Sequence, residues 1–520
     1  MKRVHWLIAL AVAAGALLRL VQLDVRPMHT DEAVHAFKFG DLLERGEYRY
    51  DKNEYHGPTL NYVSLIPAWL CSVRYFADVS AELLRMVPAI FGILLIALLF
   101  LFTGLGARAT AGAAILTAVS PAMVFFSRYY IQEMLLVCFS FGLIVAGYRM
   151  LVTGRSAWAV AAGICAGLMY ATKETSLIAF GAMGLASAGV VVARRLEHLP
   201  LPMVRRQSVV LAVLSACAVA VLFFSSFFTH WRGVPDSFLA YSTYFDRASN
   251  IGPHIHPWYY FVQLLGWSKS IDRPVWTEAG IIVFGLAGTV MAFAGDRNAP
   301  GNGRSLRMWV ALYAVLMFVI ASAIPYKTPW VILSALHGLI LMAGVGVEGL
   351  LRRTKGLWHA GSLVVTVMVC HLAWQAYLAS FRHYDDPANP CVYAQPTDDV
   401  KAIVKSVESV VFATTPDEPA SVQVVYQGSD YWPLPWYFRS LPKTGWWFSV
   451  SDDFIPAPII LTSPELEPDV ARILYEKRAP GSRPLYVPLF DKPMFLRPGM
   501  EIRGYVTLDL STRVHGGRRN

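Results

Sequence analysis

Four residues able to donate, accept or hold a proton crowd the stretch that follows the first apolar run: His29, Asp31, Glu32 and His35. Asp31 and His35 are four apart, so on a helix they share one face. That pair could orient a base or, with further donors, hold a divalent cation such as Mg or Mn. A second dense patch, Tyr55-His56-Gly57-Pro58-Thr59, follows shortly after. The plain alternative is a solvated polar cap at a membrane surface, but five such side chains (with His56) beside lipid favour chemistry. Other ionisable residues also interrupt apolar runs: Arg128 and Glu133 around Tyr129-Tyr130, Lys173-Glu174, and Lys327 between Pro325 and Pro329. Ionisable groups at membrane depth are costly unless they pair or face a cavity, which makes each a functional candidate. Their competing readings are structural ion pairs, snorkelling anchors and a simple boundary lysine. His254 and His256 carry a weaker signal, and Arg19 and Glu82 read as structural.

A carboxylate base, several cations and a hydrophobic approach suit group transfer from a lipid-phosphate donor. An inverting transfer needs a base for the acceptor hydroxyl and stabilisation for a departing phosphate. Asp31 suits the base, while Lys173, Arg128, Lys327 or a metal could hold the phosphate. His35, His56 and Glu174 complete the substrate-binding set. No Gly-rich phosphate loop or nucleotide fold is visible, which argues against a soluble nucleotide-sugar donor.

The elements that must position these residues are membrane spans. The chain of 520 residues is 55% hydrophobic and only 16% charged, well below the ~25% charge of soluble domains. Apolar runs able to cross a ~30 Å hydrocarbon core lie near 4–23, 83–103, 110–127, 131–150, 157–171, 175–193, 208–229, 277–294, 307–324, 330–350 and 358–381. The first reads as a retained signal anchor, because it carries Arg19 and lacks a small-residue cleavage site. Eleven crossings put the N-terminus in the cytoplasm and the tail outside. The basic connectors Arg194, Arg195, Arg205 and Arg206, then Arg297, Arg304 and Arg307, then Arg352, Arg353 and Lys355 all fall inside. The net charge of +9 therefore reports topology and not a nucleic-acid partner. Residues 58–76 break the parity, because a full crossing would separate Asp31 from Glu133. A re-entrant or membrane-skimming helix, opened by Pro58 and bent at Pro67, is expected; the alternative is one bent crossing among the neighbouring runs.

Five of six cysteines lie in or beside apolar runs and no CxxC pair exists, so neither a disulfide framework nor a thiolate zinc site is supported. The 230–276 loop is long, external and aromatic, suiting an interfacial belt. Residues 1–381 form the membrane module. Residues 382–520 read as a small extracytoplasmic α/β domain. Val400, Ile403, Val404 and Val407 form a helical stripe there, and Val422–Tyr426 and Ile459–Thr462 read as buried strands. Residues Arg513 to Asn520 are expected to be disordered. Trp432, Trp436, Trp446 and Trp447 suit either sugar stacking or ordinary core packing. The tail is expected to cap the cavity and help select the acceptor.

An anchor followed by an acidic pair in the first external loop resembles the GT-C superfamily of lipid-dependent membrane glycosyltransferases, in its protein-mannosyltransferase-like branch. His29-Thr30-Asp31-Glu32-Ala33-Val34-His35-Ala36, Tyr50-Asp51 and Tyr55-His56-Gly57-Pro58 are similar to the family of flippase-activity-associated proteins of N-glycosylation. So are Tyr326-Lys327-Thr328-Pro329-Trp330 and Tyr431-Trp432-Pro433-Leu434-Pro435-Trp436-Tyr437. The resemblance implies that Asp31, in its pair with Glu32, matches the catalytic acidic position. It also implies that Glu133 matches the second external acidic position and that Lys173-Glu174 lines the donor cavity. The pair is Asp-Glu where the oligosaccharyltransferase branch has Asp-X-Asp, so metal dependence is not implied.

The expected protein is a multi-pass inner-membrane glycosyltransferase, acting on the extracytoplasmic face. It moves a sugar from a polyprenyl-phosphate carrier to a carbohydrate, lipid or protein acceptor. The alternatives are a non-enzymatic flippase, or flippase accessory, for lipid-linked sugars and a channel or secondary transporter. No repeat symmetry and no midplane polar site support the transporter.

Overall fold

Each of the eleven apolar runs becomes helical. The computed structural model describes residues 2–53, 56–249, 254–270, 272–295, 303–353, 358–413, 419–428, 430–441, 443–451, 453–476, 481 and 483–516. Its chain packs as two units: residues 1–23, 41–74 and 80–393 in the first, and residues 24–40, 75–79 and 394–520 in the second. The sequence reading had cut the chain once, after residue 381.

In chain order the helices up to residue 377 are α1 (Lys2–Leu20), α2 (Thr30–Arg45), α3 (Thr59–Leu70), α4 (Ala81–Ala97), α5 (Ala107–Val119), α6 (Pro121–Ser127), α7 (Glu133–Thr153), α8 (Ser156–Tyr170), α9 (Ser176–Leu196), α10 (Arg206–Phe224), α11 (Gly233–Ser249), α12 (Tyr260–Gly266), α13 (Ala279–Phe293), α14 (Gly303–Ala323), α15 (Leu333–Arg353) and α16 (Trp358–Tyr377). Among the described residues eight helices are long and apolar enough to cross a membrane, and α5 with α6, bent by 57°, passes the same test only as a pair. The shorter apolar helices α8 and α13 complete the eleven runs. α3 has 12 residues, opens after Pro58 and contains Pro67. At ~1.5 Å per residue it reaches roughly 18 Å, too short for a crossing. The 230–276 stretch is not a plain loop, since it folds into α11 and α12.

Small residues let the membrane helices close on one another. A Cβ at Gly163 would lie 2.1 Å from the Ala212 carbonyl, and one at Gly167 would lie 2.6 Å from the Ala216 carbonyl. The four-residue spacing on both α8 and α10 thus sets their backbones in contact, the usual device where lipid removes any hydrophobic drive between helices. The bend between α5 and α6 is satisfied locally. Ser120 donates to Glu278 (2.6 Å) and Ala122 N–H donates to the same carboxylate (2.9 Å), covering donors that a helix start leaves unpaired. Arg307 is no connector charge: it is buried, bonded to the Leu105 carbonyl and paired with Glu348 at 2.7 Å. Arg297 and Lys355 lie outside the described residues.

The second unit carries the α/β tail: α17 (Asp399–Val411), β1 (Val422–Val425), α18 (Leu434–Phe438), β2 (Thr444–Trp447), β3 (Ile459–Thr462), α19 (Glu467–Ala471), β4 (Tyr486–Pro488), β5 (Met494–Arg497), β6 (Met500–Thr507) and α20 (Leu508–Gly516). Strands order as β2-β1-β3-β6-β4, with β5 also on β6. The first three strands are parallel and the rest antiparallel. Both strands read from the sequence are present. The Val400, Ile403, Val404 and Val407 stripe is buried against β1 and β3. Residues 513–516 form the end of α20, where disorder was expected; 517–520 lie outside the described residues.

Candidate functional site

The start of α2 belongs to the second unit and treats its two acids differently. His29 stands at the cap: its carbonyl accepts from Ala33 N–H at 2.9 Å and its Nδ1 accepts from Asp31 N–H at 3.1 Å. A ring nitrogen that accepts a backbone N–H carries no proton, so its 3.9 Å approach to the Asp31 carboxylate is not an ion pair. Glu32, three residues past the cap, reaches back to His29 N–H (2.9 Å) and accepts from Arg26 at 3.3 Å. That is the glutamate half of a capping box. Glu32 is fully buried, whereas the Asp31 side chain is 44% exposed and its carboxylate accepts no hydrogen bond among the described residues. Local backbone geometry therefore holds Glu32 inward and presents Asp31 outward. His35 follows on the Asp31 face of α2 and is largely buried.

In the first unit, His56-Gly57-Pro58-Thr59 docks on the break between α8 and α9. The Ala171 carbonyl accepts from Thr59 Oγ1 at 2.7 Å and from its N–H at 3.2 Å. A Cβ on Gly57 would sit 2.1 Å from that carbonyl oxygen, so the motif requires glycine there. Tyr55 lies outside the described residues. The docking brings His56 Nδ1 to 2.8 Å from Glu174, which also accepts from Tyr50 at 3.3 Å. Burial, then the Glu174 charge, pushes the Tyr50 phenol well above its ordinary value, which keeps it a donor. Lys173 turns the other way and forms a buried ion pair with Glu133 at the start of α7. Beside them Ser64 of α3 bonds Tyr130 at 2.8 Å.

Arg128 does not stand open to a phosphate. Its guanidinium donates to the carbonyls of Val21 and Gln22 (both 2.6 Å), and at longer range to those of Leu18 and Arg19, and lies over the Phe381 ring at 4.3 Å. It thus closes the C-terminus of α1, where four carbonyls lack helical partners. Arg19 does the same for α5 through Thr117 and Ala118, in keeping with its structural reading. Lys327 is different. Its ammonium is buried and donates to the carbonyls of His256 (2.9 Å) and Ile324 (2.5 Å), with no carboxylate partner among the described residues. Burial lowers its pKa from the ordinary 10.5. The His254–His256 strip pairs with Pro325–Lys327 through Lys327 N–H to His254 O (2.8 Å) and His256 N–H to Pro325 O (3.1 Å). His254 bonds Tyr393 at 2.5 Å and His256 stacks on Tyr260 at 4.3 Å.

Among the described residues no three His, Cys, Asp or Glu side chains gather as a metal site, so Asp31 and His35 gain no third side-chain donor there. Arg26, Tyr130 and Tyr393 escaped the sequence reading. Arg26 carried a signal, a cation six residues ahead of Glu32; the two tyrosines carried none.

No protein-family model matches the chain, and no curated protein matches it in sequence. Its structure does match solved ones. The fold is GT-C-like. ArnT from Cupriavidus metallidurans in the apo state aligns over 97% of this chain and 98% of its own, at 15% identity and a TM-score of 0.63. The same protein bound to undecaprenyl phosphate aligns over 96% and 97%, also at 15% identity and a TM-score of 0.63. Archaeal oligosaccharyltransferase AglB from Archaeoglobus fulgidus, in complex with an inhibitory peptide and a dolichol-phosphate, aligns over 89% of this chain and 70% of its own, at 13% identity and a TM-score of 0.52.

Proposed function

We propose that this protein is a membrane glycosyltransferase that moves a sugar from a polyprenyl-phosphate carrier to an acceptor hydroxyl or amide on the extracytoplasmic face. The observation that carries the reading is the outward, unbonded carboxylate of Asp31 on a GT-C-like fold. Asp31 is the base: it takes the acceptor proton as the acceptor attacks the anomeric carbon. The carbon–oxygen bond to the carrier breaks, and its electron pair leaves with the phosphate, inverting the anomeric centre. Glu32 serves by fixing the helix start that bears Asp31. Separately, within the first unit, the buried Lys327 ammonium is a cation suited to a phosphate. ArnT bound to undecaprenyl phosphate and AglB bound to a dolichol-phosphate support the choice of carrier.

The test is Asp31→Asn in the purified full chain, supplied with polyprenyl-phosphate sugars and membrane extract as acceptor source. Transfer should fall by at least about a hundredfold while carrier binding persists. Normal transfer by the variant would remove Asp31 as base. Translocation of the lipid-linked sugar without turnover by the wild type would favour a flippase instead.

A further inference from the structure

The polypeptide just before Asp31 is held by the tail. Within the second unit, Met28 N–H donates to the Tyr437 phenol oxygen at 2.9 Å. Gln395 donates to the Pro27 carbonyl at 2.9 Å, and Lys401 to the Val25 carbonyl at 2.5 Å. Farther along α2, Phe37 meets Trp432 edge-on, with ring centres 5.5 Å apart. The same tail segment grips residues 75–79. Phe76 packs on Trp436 at 5.8 Å, and Arg439, lying 3.8 Å over the Trp436 ring, donates to the Phe76 and Val79 carbonyls. Trp436 is buried, so this ring is packed and does not face a sugar.

We infer that Tyr437 is a positioning residue for Asp31: its phenol oxygen fixes the backbone three residues ahead of the carboxylate and so sets the direction in which α2 presents it. This rests on the reading of Asp31 as base. The argument is geometric. Peptide planes are rigid and each residue has only two soft dihedrals. Anchors on Val25, Pro27 and Met28, followed by the His29 and Glu32 cap, leave the Asp31 Cα little freedom. A reacting group displaced by ~1 Å loses up to about a hundredfold in rate. Tyr437 acts on the Met28 amide, three residues from the carboxylate, so its effect passes through Asp31.

The experiment uses Tyr437→Phe, which keeps the ring and removes the acceptor oxygen, with Gln395→Leu as an independent lever on Pro27. Detergent-solubilised full-length protein receives polyprenyl-phosphate mannose, glucose and arabinose with membrane extract, and free polyprenyl phosphate is followed by mass spectrometry. Each variant should lower kcat about tenfold, with KM for the donor within about twofold, and should speed amide exchange at Met28 to Ala33. In an Asp31→Asn background neither should lower the residual rate further, because groups acting as one unit are non-additive. If Asp31→Asn is inactive yet both variants keep the wild-type kcat, the positioning proposal is overturned and the base reading stands. If Asp31→Asn turns over normally, or the wild type turns over no donor, the base reading falls and this proposal falls with it. Raised KM at unchanged kcat would also overturn it, by showing a binding role.

Discussion

Arg128 separates a substrate ligand from a helix cap in a way that can be measured. In Arg128→Gln the C-terminus of α1 loses its guanidinium, including two 2.6 Å bonds to Val21 and Gln22 and two weaker ones. Hydrogen bonds to a charged group contribute ~1.5–3 kcal/mol each, so the two short ones alone suggest about 3–6 kcal/mol. Neighbouring contacts are not additive, and glutamine recovers part of one bond, which leaves about 3–4 kcal/mol. At ~2 °C per kcal/mol for a large domain, the melting midpoint should fall by roughly 6–8 °C. Arg128→Lys keeps the charge but loses the planar fork, and should fall nearly as far. Tryptophan fluorescence of detergent-solubilised protein at one fixed scan rate reads the midpoint. Binding of polyprenyl phosphate at low temperature, where both variants remain folded, should match the wild type. An unchanged midpoint with a tenfold loss of carrier affinity would refute the capping argument and return Arg128 to the donor site.

Gly57→Ala forces a methyl into the Ala171 carbonyl; it should cost about 1–3 kcal/mol and speed amide exchange around Thr59. Lys173→Met leaves the buried Glu133 unpaired and should destabilise by about 3–5 kcal/mol, whereas Lys173→Met with Glu133→Gln should recover much of that in thermal melts. Burial lowers the Lys327 pKa from 10.5, so its ammonium is lost as pH rises through a value below 10.5. Carrier affinity should therefore drop in that alkaline interval in titrations, and stay flat in Lys327→Arg. Stability moves oppositely: the unfolded chain binds more protons there, so the Lys327 contribution to stability rises with pH.

The positions of the apolar helices were legible because an apolar run in lipid is satisfied by a helix that bonds its own backbone. Two of the six tail strands were legible from β-branched runs, Val422–Val425 and Ile459–Thr462. The motifs carrying His56, Lys173 and Glu174 could be named but not paired, because Gly57 gives no sign of the carbonyl it must approach. Arg128 was ambiguous for a physical reason. A cation at the end of an apolar run looks the same whether it awaits a phosphate or closes a helix, and only the carbonyls of residues 18–22 decide. The sequence singled out Asp31 by the face it shares with His35, but not the burial of Glu32, which backbone capping explains. The tail tryptophans were ambiguous because ring chemistry does not reveal whether its partner is a sugar or Phe37 and Phe76.

The second unit is stitched from three separate stretches, 24–40, 75–79 and 394–520. During synthesis the first of these leaves the ribosome long before the last exists: at ~5–20 residues per second the interval is on the order of tens of seconds. The acidic helix start must therefore wait, half supported, while the membrane spans insert, and it is completed only when the final part of the chain arrives. A message truncated shortly after residue 393 would still encode every span found among the described residues, yet its product would lack the phenol, amide and ammonium that anchor Val25 to Met28. The segment that carries Asp31 thus gains its anchors only after residues 395, 401 and 437 have been made.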